Sequence, residues 1–343
     1  MHKKSLILAI SGIVVFFLLF RFIGTTEIIA VLLKSNLKLI GAAVALQIVL
    51  WLVWTYRWKL VMNHLNLKIS FPRLFNYLLL VNFGDVITPG PRFGAEPLVS
   101  YYMEKKEKIA EKDSLTTMLV ERLYGILAFI FLAEISIFVL INLVSLNLWI
   151  LVLIGVSFFI ATSIGLFTID SMFERKYVLR LINKITKKFL PFIYHLRKKK
   201  HGKLIETFKE YKSRVVKNIN LFFDEALYLS KDKKLWFFGT ALSFLFYFIV
   251  YLQVYLVFMA VGAPISIYLA MVLITLSELV GFLVMLPSGV GVTEILIIAI
   301  ATAAGIPIAS AVAATLIVRA IFYISGISSG YASMLYLGSS VKK

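Results

Sequence analysis

The 343-residue chain has no cysteine, which excludes disulfides, thiolate metal sites and cysteine nucleophiles. Its histidines, His2, His64, His195 and His201, are scattered with no HExxH or paired spacing, so no metal site is expected. Charge is scarce as well. Asp, Glu, Lys and Arg together make up 16% of residues, against about 25% in a soluble domain. Hydrophobic residues make up 60%, and the mean hydropathy is +0.91. One globular core cannot hide that excess, so a soluble enzyme of any class is ruled out. What the chain does have is apolar runs long enough to cross a bilayer, which takes about 20 residues each.

Spans are expected near 1–24, 37–56, 114–140, 148–168, 235–261, 267–286 and 310–336, with a shorter apolar stretch at 74–87. The first follows Met1-His2-Lys3-Lys4. No small-residue cleavage pattern comes after Phe20-Arg21-Phe22, so it reads as a span and not as a signal peptide. Trp51, Trp54 and Tyr56 are expected to close the second span as an interfacial aromatic belt. The fold class is all-α: a polytopic membrane protein of about 6–8 transmembrane helices, with two re-entrant or broken hairpins. Residues 1–168 form a first membrane half with a hairpin tip at 88–96. Residues 169–234 form a linker, and 235–340 a second half with its tip at 286–294.

The net charge of +18 is unevenly placed. Residues 170–234 hold 18 of the 36 Lys/Arg against 7 Asp/Glu. Within them Val178, Ile182, Ile185 and Phe189 recur at helical spacing, with Arg180, Lys184, Lys187 and Lys188 off that stripe. Such a pattern suits a helix lying in the membrane interface. Arg197-Lys198-Lys199-Lys200 favours anionic headgroups, and the tether between spans argues against nucleic acid as a partner. The loops at 141–147 and 262–267 carry no charge. By the Lys/Arg bias of short loops, both termini and the 169–234 linker are expected to be cytoplasmic.

Two Pro/Gly segments share a spacing. Pro89 precedes Glu96 by seven residues, and Pro287 precedes Glu294 by seven; Arg122 lies 26 residues after Glu96, and Arg319 lies 25 after Glu294. The loop charges send the two arginine helices in opposite directions, the signature of an inverted repeat. In transporters such repeats put broken helices and the binding site near the bilayer midplane. Arg122, Arg319, Glu121, Glu134, Glu278 and Glu294 fall in apolar surroundings, and Arg92 and Glu96 flank a hairpin tip. Eight such groups facing lipid would cost on the order of 20–28 kcal/mol, more than a fold's net stability. They are therefore expected to face inward, pair, or line a wet cavity.

Structural Glu–Arg pairing is one way to meet that cost, and a polar site inside the bundle is the other. In the second case Arg92, Arg122 and Arg319, with the amides after Gly94 and Gly291 opening short helices, suit an anionic group such as a lipid phosphate. Glu96, Glu121, Glu278 and Glu294 would pair with the arginines or bind a coupling proton. Asp85 either joins the site or ends its hairpin. Gly289-Val290-Gly291 is a lone GxG without a Walker lysine, so no nucleotide and no cofactor is expected.

Thr88-Pro89-Gly90-Pro91-Arg92-Phe93-Gly94-Ala95-Glu96 with Glu121-Arg122, and Leu286-Pro287-Ser288-Gly289-Val290-Gly291-Val292-Thr293-Glu294 with Arg319, resemble paired signatures of one family. It is the lysylphosphatidylglycerol synthase transmembrane family, the flippase-type membrane region of multiple peptide resistance factors, also found as stand-alone bacterial and archaeal proteins. The resemblance covers nearly the whole chain. It implies a membrane protein that handles lipids, in some members by moving an aminoacylated or glycosylated lipid between leaflets. In two-part members the synthase chemistry belongs to an attached soluble domain. The 65 residues of the basic stretch 170–234 leave no room for one, so no enzyme activity is expected. Three functions stay open: a flippase-like transporter of an anionic or modified lipid, a membrane subunit presenting lipid to a separate soluble transferase, and a small-solute or ion transporter.

Overall fold

The computed structural model describes residues 25–88, 95–143, 232–284 and 287–339, with isolated positions between 149 and 229. The expected first span at 1–24, nearly all of the span at 148–168 and of the 169–234 linker, and Arg92 and Gly94 lie outside the described residues. Among the described residues all regular structure is helical. In chain order the helices are α1 (Thr25–Lys34), α2 (Leu37–His64), α3 (Phe71–Ile87), α4 (Glu96–Glu107), α5 (Glu111–Leu143), α6 (Lys233–Ala260), α7 (Ile267–Val284), α8 (Val292–Ala303) and α9 (Ile308–Ser339). A 3₁₀ turn, Pro287–Gly289, joins α7 to α8.

Helices α2, α5, α6 and α9 have 28, 33, 28 and 32 residues. At 1.5 Å per residue each is about 40–50 Å long, and each is apolar enough to cross a hydrocarbon core of about 30 Å. The protein is thus an all-α, multi-pass membrane protein. Leu33, Phe138, Phe237 and Ile324 point outward and exposed, as a lipid-facing surface requires. Helix α8, with 12 residues, reaches only about 18 Å.

Local chemistry sets the helix ends. The Asn36 side chain accepts from the Lys38 and Leu39 amides at the start of α2, and Asp232 accepts from Lys234 and Leu235 at the start of α6. Pro72 and Pro97 occupy the first turns of α3 and α4, where no amide is needed. Helix α4 stops at Lys108, which takes the left-handed conformation. Lys106, near that end, donates to the Leu337 carbonyl of α9, and desolvation there lowers its pKa.

The packing has a plan. Helix α2 lies along α6, α3 along α9, and α5 along α7; α4 rests on α5, and α8 on α9. Exchanging α2 with α6, α3 with α7, α4 with α8 and α5 with α9 maps this scheme onto itself. At the α3–α9 crossing Gly326 and Gly330 let the backbones close. A Cβ at Gly330 would sit 2.2 Å from Phe83 Cβ and 2.9 Å from the Leu79 carbonyl.

Three expectations need correction. Arg57, just beyond the expected end of the second span at 56, lies inside α2 and is buried, because no breaker interrupts the helix before Asn66. That extension puts Trp51 and Trp54 in mid-helix, so they face the interior instead of forming a belt. Tyr56 alone of the three is exposed. Glu134, expected to face inward, is exposed on the outer side of α5.

Candidate functional site

The second Pro/Gly segment folds as a clasp. Ser288, Gly289 and Gly291 all adopt positive φ (49°, 65° and 88°), which turns the chain sharply between α7 and α8. Glycine is required at 289, where a Cβ would stand 2.5 Å from Thr293 Oγ1. The turn puts Glu294 in the first turn of α8, where its Oε2 accepts from the Gly291 amide at 2.6 Å. Its Oε1 accepts from Arg319 Nε on α9 at 2.5 Å. Arg319 Nη2 donates to the Ser288 carbonyl at 2.8 Å and to Tyr323 Oη at 2.9 Å. The Tyr323 and Phe322 rings flank the guanidinium, 5.0 and 5.8 Å away. Every oxygen of Glu294 is therefore engaged.

The first segment brings three charges together from three helices. Asp85 comes from the last turn of α3, Glu96 from the first turn of α4 and Arg122 from within α5. Arg122 Nη2 donates to Asp85 Oδ1 at 3.0 Å and also to Glu96 Oε1. Glu96 is buried, and its Oε2 has no hydrogen-bond partner among the described residues. Adjacent Glu121 turns the other way. It accepts from Arg57 Nε at 2.5 Å, and Arg57 Nη1 donates onward to Ser243 Oγ of α6 at 2.7 Å.

Ser288 joins the two segments. Its carbonyl holds Arg319, while its hydroxyl donates toward the Asp85 and Val86 carbonyls at 3.2 and 3.1 Å. Glu96, Arg122, Asp85, Ser288, Arg319 and Glu294 form one polar chain through the bundle. Beside it lies a cavity of about 100 Å³, lined by Gln47, Trp51, Asn82, Asp85, Gln253, Glu278 and Arg319 among aromatic and aliphatic neighbours. That volume holds about three water molecules. Trp51 is buried there with an indole N–H that finds no acceptor among the described residues.

The structure brings Arg122, Arg319, Glu96, Glu121, Glu278 and Glu294 into this region, and Asp85 belongs to it. Arg92 and Gly94 lie outside the described residues. The Gly291 amide is taken by Glu294 and is not open to an outside anion in this conformation. Among the described residues the region holds Arg57, Arg122 and Arg319 against Asp85, Glu96, Glu121, Glu278 and Glu294, so it is no bare cationic hole. An anion reaching Arg122 or Arg319 has to displace a carboxylate. Sequence reasoning missed Arg57, Ser288, Tyr323, Gln47 and Gln253. Tyr323 had a signal, since it lies four residues after Arg319 on one helix. Ser243 and Ser288 had none, because a serine in an apolar run costs little.

Comparison with known proteins gives the family. The family description for the lysylphosphatidylglycerol synthase TM region matches residues 5–330. A UPF0104 membrane protein of Methanothermobacter thermautotrophicus is 27% identical over 350 aligned positions, covering 100% of this chain and 98% of its own. A UPF0104 membrane protein of Methanocaldococcus jannaschii is also 27% identical, over 99% of this chain and 97% of its own. One from Pyrococcus horikoshii is 22% identical over 93% of each.

Proposed function

Starting from a chain that belongs to the family of the lysylphosphatidylglycerol synthase TM region, we propose a flippase-like transporter of an anionic or modified lipid. The headgroup passes through the polar cavity between the two halves while its tails stay in the bilayer, and the chain itself makes and breaks no bond. Both termini and the 169–234 linker lie on the cytoplasmic side, and the halves work as an inverted repeat around the cavity. The exchange symmetry of the packing supports that arrangement.

One observation carries the reading: the polar chain from Glu96 to Glu294 borders a cavity instead of a filled core. Charge pairs that only locked helices together would be packed against side chains on every side. Here Arg319, Asp85 and Glu278 line free space together with an unsatisfied indole N–H. A phosphodiester supplies an acceptor for this N–H and can take the place of a carboxylate on an arginine fork. About 100 Å³ is too small for a whole headgroup, so this conformation is a closed one.

The test is leaflet exchange of fluorescent anionic lipids in liposomes carrying the purified protein, with Arg122→Gln and Arg319→Gln as comparisons. Exchange by the wild type and its loss in both variants is the expected result. Full activity in both variants would overturn the site. No exchange of any lipid by folded protein would overturn transport and leave the lipid-presenting subunit as the reading to pursue.

A further inference from the structure

We propose that binding of a phosphate-bearing headgroup at Arg122 is coupled to uptake of one proton by Glu96. The inference rests on the lipid-transport reading and adds the coupling ion to it.

In the structure Arg122 Nη2 is divided between Asp85 and Glu96. A guanidinium that grips a phosphate with two parallel N–H bonds must first let go of a carboxylate. The four acidic partners of these arginines face different consequences, and Asp85, the other carboxylate on Arg122, has a further interaction besides that arginine. Glu294, released by Arg319, still accepts from the Gly291 amide at the N-terminus of α8. Glu121 remains held by Arg57 whatever Arg122 does. Glu96 keeps nothing. Its Oε1 loses Arg122, its Oε2 has no partner among the described residues to begin with, and its side chain is 6% exposed. A buried carboxylate without a donor at either oxygen is neutralised by a proton.

The surroundings push the same way. Helix α3 presents Asp85 to Glu96, and α5 presents Arg122, while Glu121 faces Arg57. Arg57 of α2 is occupied by Glu121, and Arg319 by Glu294 across the Ser288 bridge. Glu278 of α7 lines the cavity on Asp85's side of the network. Once Arg122 turns to a ligand, Glu96 is left beside Asp85 with no cation facing it among the described residues. The balance is simple. The phosphodiester takes over the guanidinium's hydrogen bonds, and one proton from solvent forms an O–H on Glu96. One negative charge and one positive charge enter together, so the total charge of the site does not change. A headgroup can then move without burying a net charge, and a proton gradient can bias its direction.

The experiment is calorimetric titration of short-chain phosphatidylglycerol into the full-length protein in detergent micelles. It is run at pH 7 in buffers of different ionisation enthalpy, so that proton uptake is counted directly. About one proton per ligand is expected for the wild type and for Glu96→Asp, and none for Glu96→Gln, which still binds. Binding by the wild type without proton uptake overturns the coupling and leaves lipid transport standing. No binding of the lipid overturns the transport reading and the coupling with it. If Glu96→Gln does not fold, the counts for the wild type and Glu96→Asp decide the matter.

Discussion

The two Pro/Gly segments share one grammar, an acidic residue opening a short helix and an arginine some 25 residues later, yet they are wired differently. Around Glu294 both carboxylate oxygens have a donor. The carboxylate takes one N–H from its own backbone and one from Arg319, and Arg319 spends Nη2 on a carbonyl and a phenol. Around Glu96 one guanidinium nitrogen serves two carboxylates, and a buried oxygen has no partner among the described residues. The difference teaches that a repeated motif need not repeat a role. The second copy is built to hold a bend in place, and the first is built so that its arginine can change partners.

The sharpest way to break that comparison is to neutralise each glutamate in turn. Glu294→Gln puts an amide N–H₂ where the Gly291 N–H now donates, and it removes the counter-charge of a deeply buried arginine. Breaking a buried pair from one side costs about 3–5 kcal/mol, and Glu294 and Arg319 side chains are 3% and 12% exposed. Glu96→Gln removes one of two negative charges on Arg122 and replaces an oxygen that had no partner, so its cost is about 1 kcal/mol or less. Reversible unfolding in mixed micelles measures both. Equal losses would mean that the two segments are one structural device used twice.

A second contrast lies at the helix crossings that the exchange of halves relates. Seven and eleven residues after Arg319, α9 carries Gly326 and Gly330; at the same distances after Arg122, α5 carries Phe129 and Ala133. The α3–α9 crossing closes backbone to backbone, whereas Phe129 meets Phe282 edge-on at 5.8 Å where α5 crosses α7. Gly330→Ala has no room, with a Cβ 2.2 Å from that of Phe83, and should cost about 1–3 kcal/mol through overpacking. Gly41→Ala, on the same protein but in open space within α2, serves as the control and should not destabilise. A Gly330→Ala protein as stable as the wild type would show that α3 and α9 can slide apart freely.

Much of this was legible in the sequence, for a physical reason. An ion inside an apolar run is expensive, so Arg122, Arg319, Glu96 and Glu294 stand out before any coordinates are known, and the runs themselves give the fold class. Three kinds of information were hidden. Helix rotation is one: the expense of Glu134 looks the same as that of Glu121, yet one faces out and the other faces Arg57. Helix length is another. Trp51 and Trp54 resemble a membrane boundary until α2 is seen to continue to His64. The last is partnership with cheap groups. The Ser288 carbonyl and the Ser243 hydroxyl complete the arginine shells, and neither a backbone oxygen nor a serine leaves a mark in composition.

The smallest expected effect separates the halves at their entrances. Helices α2 and α6, exchanged by the packing symmetry, both begin at an Asx cap: Asn36 accepts at 3.0 Å from Lys38, and Asp232 at 2.8 Å from Lys234. Only the second cap can titrate. The Leu235 and Lys234 amides, with His64 and Lys234 as charges, hold the Asp232 carboxyl below its ordinary value of 3.8. A carboxylate depressed in the folded state contributes above its unfolded value and loses that contribution as the pH falls through its folded one. Acid should therefore loosen the first turn of α6 below about pH 4 and leave the first turn of α2 unchanged. Hydrogen-exchange protection of the 234–235 amides against the 38–39 amides, followed as the pH is lowered, reads this out. Asp232→Asn should make the two entrances behave alike, because the amide oxygen still caps and no longer titrates. Were α2 to loosen in parallel with α6, or α6 of Asp232→Asn to keep its acid sensitivity, the cause would lie elsewhere than in the cap.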